Sequence, residues 1–128
     1  MFNRSGISAT NYANVNQILA NVEMQASVGC IVPQSMGVTV GAQKIVKAGT
    51  PIHINFANLQ TAAVAVASGN AMNAVLLHDV DVTAGNANGT ALIFGFVNLN
   101  RVESDVKTKI TSAQAVAGAS ALLTFLTV

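Results

Sequence analysis

Charged residues are scarce in this sequence. Only 9% of its 128 residues are Asp, Glu, Lys or Arg, and the formal net charge is +1, whereas a typical soluble domain has about 25% charged residues. No basic or acidic field is therefore present to collect nucleic acid or charged ligands. With so few charges, we expect much of the surface to contact other protein. The alternative is a small domain solvated by its amides and hydroxyls.

Cysteine is almost absent as well. Cys30 is the only one, so an intrachain disulfide is excluded, and this suits a reducing cytoplasm. It lies between apolar neighbours, without the basic residue nearby that activates a thiol. We predict that Cys30 is a small buried hydrophobic residue.

Catalytic signatures are missing too. The sequence has no G-x-S-x-G, Walker, dinucleotide-binding or zinc-ligand pattern. The one cluster of titratable residues is His78-Asp79-Val80-Asp81. On a strand His78 points away from both aspartates, so the three cannot share a metal. Asp79 and Asp81 could serve as the paired carboxylates of a hydrolase or, with loop carbonyls, bind calcium. We favour a structural role, in which they accept backbone N–H bonds from the adjoining turn.

The remaining histidine, His53, could meet His78 in space, although a satisfied or exposed histidine is the simpler interpretation. We therefore expect no enzyme, no catalytic residue, no bound metal, no cofactor and no small-molecule substrate. A membrane partner is disfavoured too. No secretory signal is visible, and polar residues interrupt the uncharged stretches 48–77 and 110–128, so a C-terminal anchor is not favoured.

Alternating apolar residues predict a mainly β domain. The central prediction is a β-hairpin, with strands over 74–82 and 91–99 and a turn in the loop 83–90 that contains Asn88-Gly89. In its first strand Leu76, His78, Val80 and Val82 face one way and Val75, Leu77, Asp79 and Asp81 the other; in its second, Leu92, Phe94 and Phe96 share a face. The other predicted strands are 26–32, 37–40, 44–47, 52–57, 61–67 and 122–128, with turns at 33–36 and 48–51.

One or two short helices complete the predicted fold. Thr111 or Ser112 is expected to cap a helix that runs through Ala121, and 100–109 is expected to be the best-solvated part of the chain. Residues 1–10 are interpreted as an extended arm. In 11–23 the apolar spacing is compatible with a short helix, although the asparagines disfavour it. The domain division is thus an N-terminal arm with a possible short helix over 1–23 and a β-rich domain over 24–128.

Four segments resemble one family. KIVKAGTPI (44–52), VLLHDVDVT (75–83), GTALIFGFVNLNRV (89–102) and the C-terminal KITSAQAVAGASALLTFLTV (109–128) are similar to the small capsid decoration, or head-stabilisation, proteins of tailed bacteriophages, the lambda D-like family. The resemblance implies a compact, barrel-like, β-rich domain that trimerises. It also implies that the protein is made in the host cytoplasm, binds the major capsid protein on the outside of the virion head, and stabilises the head against internal DNA pressure.

The resemblance also implies a capsid-binding role for the N-terminal arm, with no nucleic-acid or membrane partner. The anchors in this arm are expected to be Phe2, Arg4, Ile7 and Tyr12. Two alternatives stay open at this point. One is another virion component, such as the base of a head fibre; the other is a small hydrolase that uses Asp79 and Asp81.

Overall fold

A computed structural model describes residues 18–19 and 25–127 of the chain. Strand is far more abundant than helix in the described part, which confirms the mainly β prediction. Its elements are β1 (Ala26–Val32), β2 (Val38–Val40), β3 (Gln43–Val46), β4 (Pro51–His53), β5 (Val64–Ala65), β6 (Ala74–Leu76), β7 (Val80–Asp81), β8 (Ala87–Asn98), α1 (Ser104–Gln114) and β9 (Leu123–Leu126), with 3-10 turns at Gln34–Met36 and Leu99–Arg101.

The strands form two sheets, and β8 is the centre of the larger one. This six-stranded sheet has the order β1-β8-β6-β4-β5, and β9 lies parallel beside the second half of β8. The smaller sheet has the order β2-β3-β7. Apart from the pair of β8 and β9, these pairings are antiparallel. The described strands do not close into a barrel, so the architecture is layered.

Side chains from the two faces of the large sheet pack in two separate cores. On one face Val75 and Leu92 pack in a cluster with Val106 and Ile110 of α1. On the other face Leu76 and Ala91 pack in a cluster with residues of the small sheet and the segment after it, Val46, Val80 and Val82. The large sheet is therefore the middle layer, between the helix and the small sheet, and both of its faces must be apolar.

The predicted hairpin is present in part. Ala74–Leu76 does pair antiparallel with β8, and Leu76, Val80 and Val82 do share one core while Val75 and Leu77 enter the other. However, the strand does not continue to residue 82, because Val80–Asp81 leaves the large sheet and pairs with β3.

The position of the predicted turn is also wrong. Asn88 and Gly89 lie inside β8, opposite Ile31 and Cys30. A Cβ atom on Gly89 would lie 2.9 Å from Cγ2 of Val32, so this glycine serves close packing between strands. The alternation predicted for Leu92, Phe94 and Phe96 does not continue regularly to the end of β8. Leu92 and Val97, five residues apart, enter the same core, so the alternation breaks between them.

The predicted helix start at Thr111 or Ser112 is wrong, because α1 begins at Ser104 and ends at Gln114. The buried residues Val106, Ile110 and Ala113 follow helical spacing and face the core. The charged residues of 101–109, predicted to be the best-solvated part, are exposed on the other face. The charged residues are the most visible feature of this segment, so the narrow apolar stripe of the helix was not recognised in the sequence.

Other local predictions are confirmed. The strand 26–32 has the predicted bounds. The predicted strands 37–40, 44–47 and 122–128 are present within one to three residues, whereas 52–57 and 61–67 are reduced to Pro51–His53 and Val64–Ala65. Cys30 is buried, and burial raises the pKa of its thiol.

The turn 47–51 connects the two sheets and is held by several short hydrogen bonds. The N–H of Gly49 donates to the carbonyl of Leu76 at 2.7 Å, and Leu76 N–H donates to the carbonyl of Thr50 at 3.0 Å. Gly49 has a φ of 92°, a conformation that residues with a Cβ atom rarely adopt. A Cβ atom there would also lie 3.0 Å from Cγ1 of Val102 and 3.2 Å from Cγ1 of Val106.

We expect Gly49→Ala to destabilise the protein more than Gly69→Ala. Gly69 has a similar φ of 87°, but a Cβ atom there would meet nothing within 4 Å. Both substitutions carry the backbone cost of about 1–2 kcal/mol, and only Gly49→Ala adds overpacking against Val102 and Val106, a further cost of about 1 kcal/mol or more. Urea unfolding of the two variants measures the difference. Equal losses of unfolding free energy would show that the turn yields without strain.

Candidate functional site

The two aspartates of the segment 78–81 both accept hydrogen bonds from turns. Asp79 Oδ1 accepts the backbone N–H of Ala48 at 2.7 Å, in the turn between the two sheets. Asp81 Oδ1 accepts the N–H of Thr83 at 2.9 Å and its hydroxyl at 2.5 Å. The predicted hydrogen bond from the adjoining turn is confirmed for Asp81, whereas Asp79 accepts from a turn that is distant in sequence.

The electrostatic environment of Asp81 favours its charged form. The hydroxyl of Thr83, followed by its N–H, lowers the pKa of the Asp81 carboxyl from the ordinary value. Gln43 Nε2 donates to the other carboxylate oxygen, Oδ2, at 3.3 Å. An exposed carboxylate that is held ionised and hydrogen-bonded on both oxygens is a poor general acid.

The histidines do not complete a site. His78 is exposed, while the ring of His53 is half-buried, with Nδ1 2.7 Å from the carbonyl oxygen of Ala71. Within residues 18–19 and 25–127, no group of three or more His, Cys, Asp or Glu side chains is placed to hold a metal ion.

Lys47 forms ion pairs that the sequence analysis missed. Its Nζ atom lies 3.2 Å from Glu103 Oε1 and 3.1 Å from Asp105 Oδ2, at the start of α1. Hydrogen bonds to Asp105 and then Glu103 raise the pKa of Lys47. The sequence separation exceeds 50 residues, so no local pattern could have revealed the pairing. These ion pairs tie the turn 47–51 to the helix.

A cavity of about 730 Å³ lies between β5, the 3-10 turn Gln34–Met36 and the second half of α1. Its polar lining comes from hydroxyls such as Thr108 and Ser112, together with Lys109. The residues that line it include no carboxylate and no imidazole. This cavity can hold an apolar group, but it offers no acid–base pair for catalysis.

The most unusual surface features are the sheet edges. None of the residues of the six strands of the large sheet is Asp, Glu, Lys or Arg. β1, β5 and β9 are edge strands, because each of them pairs with a single described strand. Large apolar side chains are exposed at or beside several edges: Val38, Val40, Phe56, Val64, Leu122 and Leu126.

Phe56 is the most exposed of these side chains, at 58%. The alternation Ile52, Ile54, Phe56 predicts a strand with one buried face, and Ile52 and Ile54 are indeed buried. The strand nevertheless ends at His53, because the side chains of Asn55 and Asn58 accept backbone N–H bonds from the residues two positions on, Ala57 and Gln60, at 2.9 and 3.0 Å. These turns place Phe56 at the surface.

The predicted capsid-binding residues Phe2, Arg4, Ile7 and Tyr12 lie outside the described residues, as does the possible helix apart from Ile18 and Leu19. These two residues are buried in the core on the helix side, and Leu19 forms a bridge with Val97. No helix in the described part of the chain is long and apolar enough to cross a membrane. No family model, curated protein or solved structure was found to match the chain.

We expect Asp79→Ala to destabilise the protein by about 1–3 kcal/mol, because the N–H of Ala48 would lose its acceptor in a buried turn. Asp79→Asn retains an oxygen at the same place and should keep most of the stability. Urea unfolding distinguishes the two. If Asp79→Asn were as damaging as Asp79→Ala, the negative charge rather than the hydrogen bond would be what the turn requires.

The lowered pKa of Asp81 predicts a pH dependence. Its ionised form adds stability that is complete above the ordinary carboxyl pKa of about 4 and is lost as the pH falls through the lower folded-state pKa. We therefore expect Asp81→Asn to lower the Tm at neutral pH, and the difference from the native protein to shrink below about pH 4. Thermal unfolding over a pH series measures this, with Thr83→Ser as the control that retains the hydroxyl. A difference in Tm that does not change with pH contradicts the assignment.

Proposed function

We propose that this chain is a capsid decoration protein of a tailed bacteriophage. It binds the major capsid protein on the outside of the mature head as a homotrimer, and it stabilises the shell against the pressure of the packaged DNA. The protein acts by binding and has no catalytic role. The resemblance of its turn and strand segments to the lambda D-like family is the source of this proposal.

The observation that supports it most is the absence of charge from the strands of the large sheet, including its open edges. Proteins that remain alone in solution commonly protect such edges with lysine, proline, inward-pointing charges or very short strands. A chain that functions while bound to other protein can have such uncharged edges, and it can expose apolar side chains such as Leu122, Leu126 and Phe56.

The arrangement of the carboxylates also favours binding over catalysis. Asp79 and Asp81 accept hydrogen bonds from Ala48 and Thr83, and the 730 Å³ cavity beside α1 is lined by other residues. A hydrolase that used this pair would have to break the bonds that hold two turns in place.

The proposed mechanism is mechanical. A trimer that spans a junction between capsomers adds interface that must break before the shell can open, so rupture becomes slower. Each subunit can contribute a modest contact, because three linked contacts act together at high effective concentration. The N-terminal arm is the proposed capsid contact. In this role Phe2, Ile7 and Tyr12 supply apolar anchors, Arg4 supplies a charge, and the backbone adds a strand to the capsid protein.

We expect the full chain to be a trimer at micromolar concentration by native mass spectrometry, and to bind expanded, undecorated capsids of its phage in a co-sedimentation assay. Deletion of residues 1–10 should leave the trimer intact and lower capsid binding by about tenfold or more, since each of three linked contacts is weakened.

Asp79→Asn is the matched control, because it changes a residue of the folded domain and should bind capsids as the native chain does. Undiminished binding after the deletion would reject the arm as the contact and leave the decoration role in place. A monomer that ignores capsids in every condition would reject the decoration role itself.

A further inference from the structure

The outer edge of β2 is the feature of the fold that its own contacts explain least. Val38, Thr39 and Val40 are all exposed, with 47% of Val40 accessible. The strand carries no charge and no proline, and its residues are β-branched, which favours sheet formation. Among the described strands it pairs with β3 alone. An edge of this kind is a template for a further strand.

The hydrogen bonds of Lys44 show which way the backbone of Thr39 points. Lys44 lies opposite Thr39 in the hairpin of β2 and β3. The carbonyl of Lys44 accepts the N–H of Val82 at 2.8 Å, and its own N–H donates to Thr83 Oγ1 at 2.8 Å. The backbone of Lys44 thus faces away from β2. In an antiparallel pair, the N–H and carbonyl of Thr39 must then also face outward.

We propose that β2 pairs antiparallel with β2 of a second copy of this chain, about a two-fold axis that passes beside Thr39. In this register Thr39 exchanges two hydrogen bonds with the partner's Thr39. Val38 lies opposite the partner's Val40, and the N–H of Gly41 can reach the carbonyl of the partner's Gly37. Two three-stranded sheets thereby become one six-stranded sheet.

A second copy is the occupant because the edge is complementary to itself. The pairing requires the same outward donor and acceptor from both chains, and Thr39 provides both. Repulsion does not oppose it. The nearest charged side chains are the two Lys44 residues, which lie on the next strands outward and about 14 Å apart at the usual strand spacing. That distance exceeds the Debye length of about 8 Å at physiological ionic strength. The contact is two-fold, so it lies outside the three-fold contacts of the proposed trimer and would join one trimer to another. The inference does not depend on the capsid proposal.

Cysteine cross-linking tests the register in the full chain, in a Cys30→Ala background so that no other thiol is present. The Cα atoms of the two Thr39 residues should be about 5.5 Å apart, within the range of a disulfide. We expect Thr39→Cys to form a covalent dimer under mild oxidation. Gln43→Cys is the matched control, exposed on the adjacent strand but about 16 Å from its counterpart in this register, and should not.

A mixed experiment tests the antiparallel alignment. Val38→Cys and Val40→Cys should cross-link with each other when mixed, because these positions lie directly opposite at about 4.5 Å. Neither should cross-link with itself, since like positions are about 8 Å apart in this register. Dimers of Gln43→Cys as abundant as those of Thr39→Cys would overturn the proposal.

A second test uses the native cysteine and no cross-link. Thr39→Pro removes an outward N–H, so it spares the bonds between β2 and β3; we expect it to weaken the self-association attributable to this edge by about tenfold or more in sedimentation equilibrium. Thr39→Val keeps the N–H and should associate like the native chain. Association unaffected by Thr39→Pro would reject the pairing. If Thr39→Pro lowered capsid binding and left self-association unchanged, the edge would be a contact with the capsid protein, and the proposed pairing of two copies would also be rejected.

Discussion

The fold depends on the pairing of β8 with a different partner along each part of its length. β1 pairs with residues 87–94, β6 with residues 91–92, and β9 with residues 95–98. Both faces of this strand are covered as well, by α1 on one side and by the small sheet on the other. A strand in that position cannot carry a charged side chain without a large desolvation cost. Part of the low charge of the sequence is therefore a consequence of the three layers.

The layers do not explain the whole deficit, because the edge strands are uncharged too. Charge is concentrated in two places in the described chain: the exposed face of α1 with its preceding turn, and the region of β3 and β7. In the second place the charges hold the connection between layers together. Asp79 fixes the turn 47–51 through Ala48, and Lys47 ties the same turn to Glu103 and Asp105. The remaining surface relies on amides, hydroxyls and exposed apolar groups.

The sequence predicted those features that local chemistry determines. β1 ends where Pro33 begins the next turn, and the turn at Gly49 requires a residue without a Cβ atom, so both were predictable. The division of the predicted strand 74–82 between two sheets was not, because alternation shows that Val80 and Val82 are buried and says nothing about the sheet in which they are buried. The start of α1 was hidden by its charges, and Asn88-Gly89 looked like a turn because packing against Val32 is a non-local reason for glycine. For the candidate site, the hydrogen bond that Asp81 accepts from the adjoining turn could be predicted. The exposure of Phe56 and Val40 could not, since an apolar residue in a turn or on a short strand is exposed or buried according to what lies beside it.

Uncharged open edges carry a risk of uncontrolled association, and two of the edge strands are short enough to limit that risk. β2 has three residues and β5 has two, so a single strand pairing in solution is weak. On a lattice the same weak contact is repeated between neighbours whose positions are already fixed, and the entropy of bringing them together has been lost in the first binding event. If this chain decorates a capsid as proposed, short edges are better than long ones. They pair weakly while the protein is dilute, and they pair more completely where a shell arranges the copies side by side. The scarcity of charge, the layered core and the short uncharged strands are then parts of one physical solution, in which the lattice rather than the chain supplies the concentration that association requires.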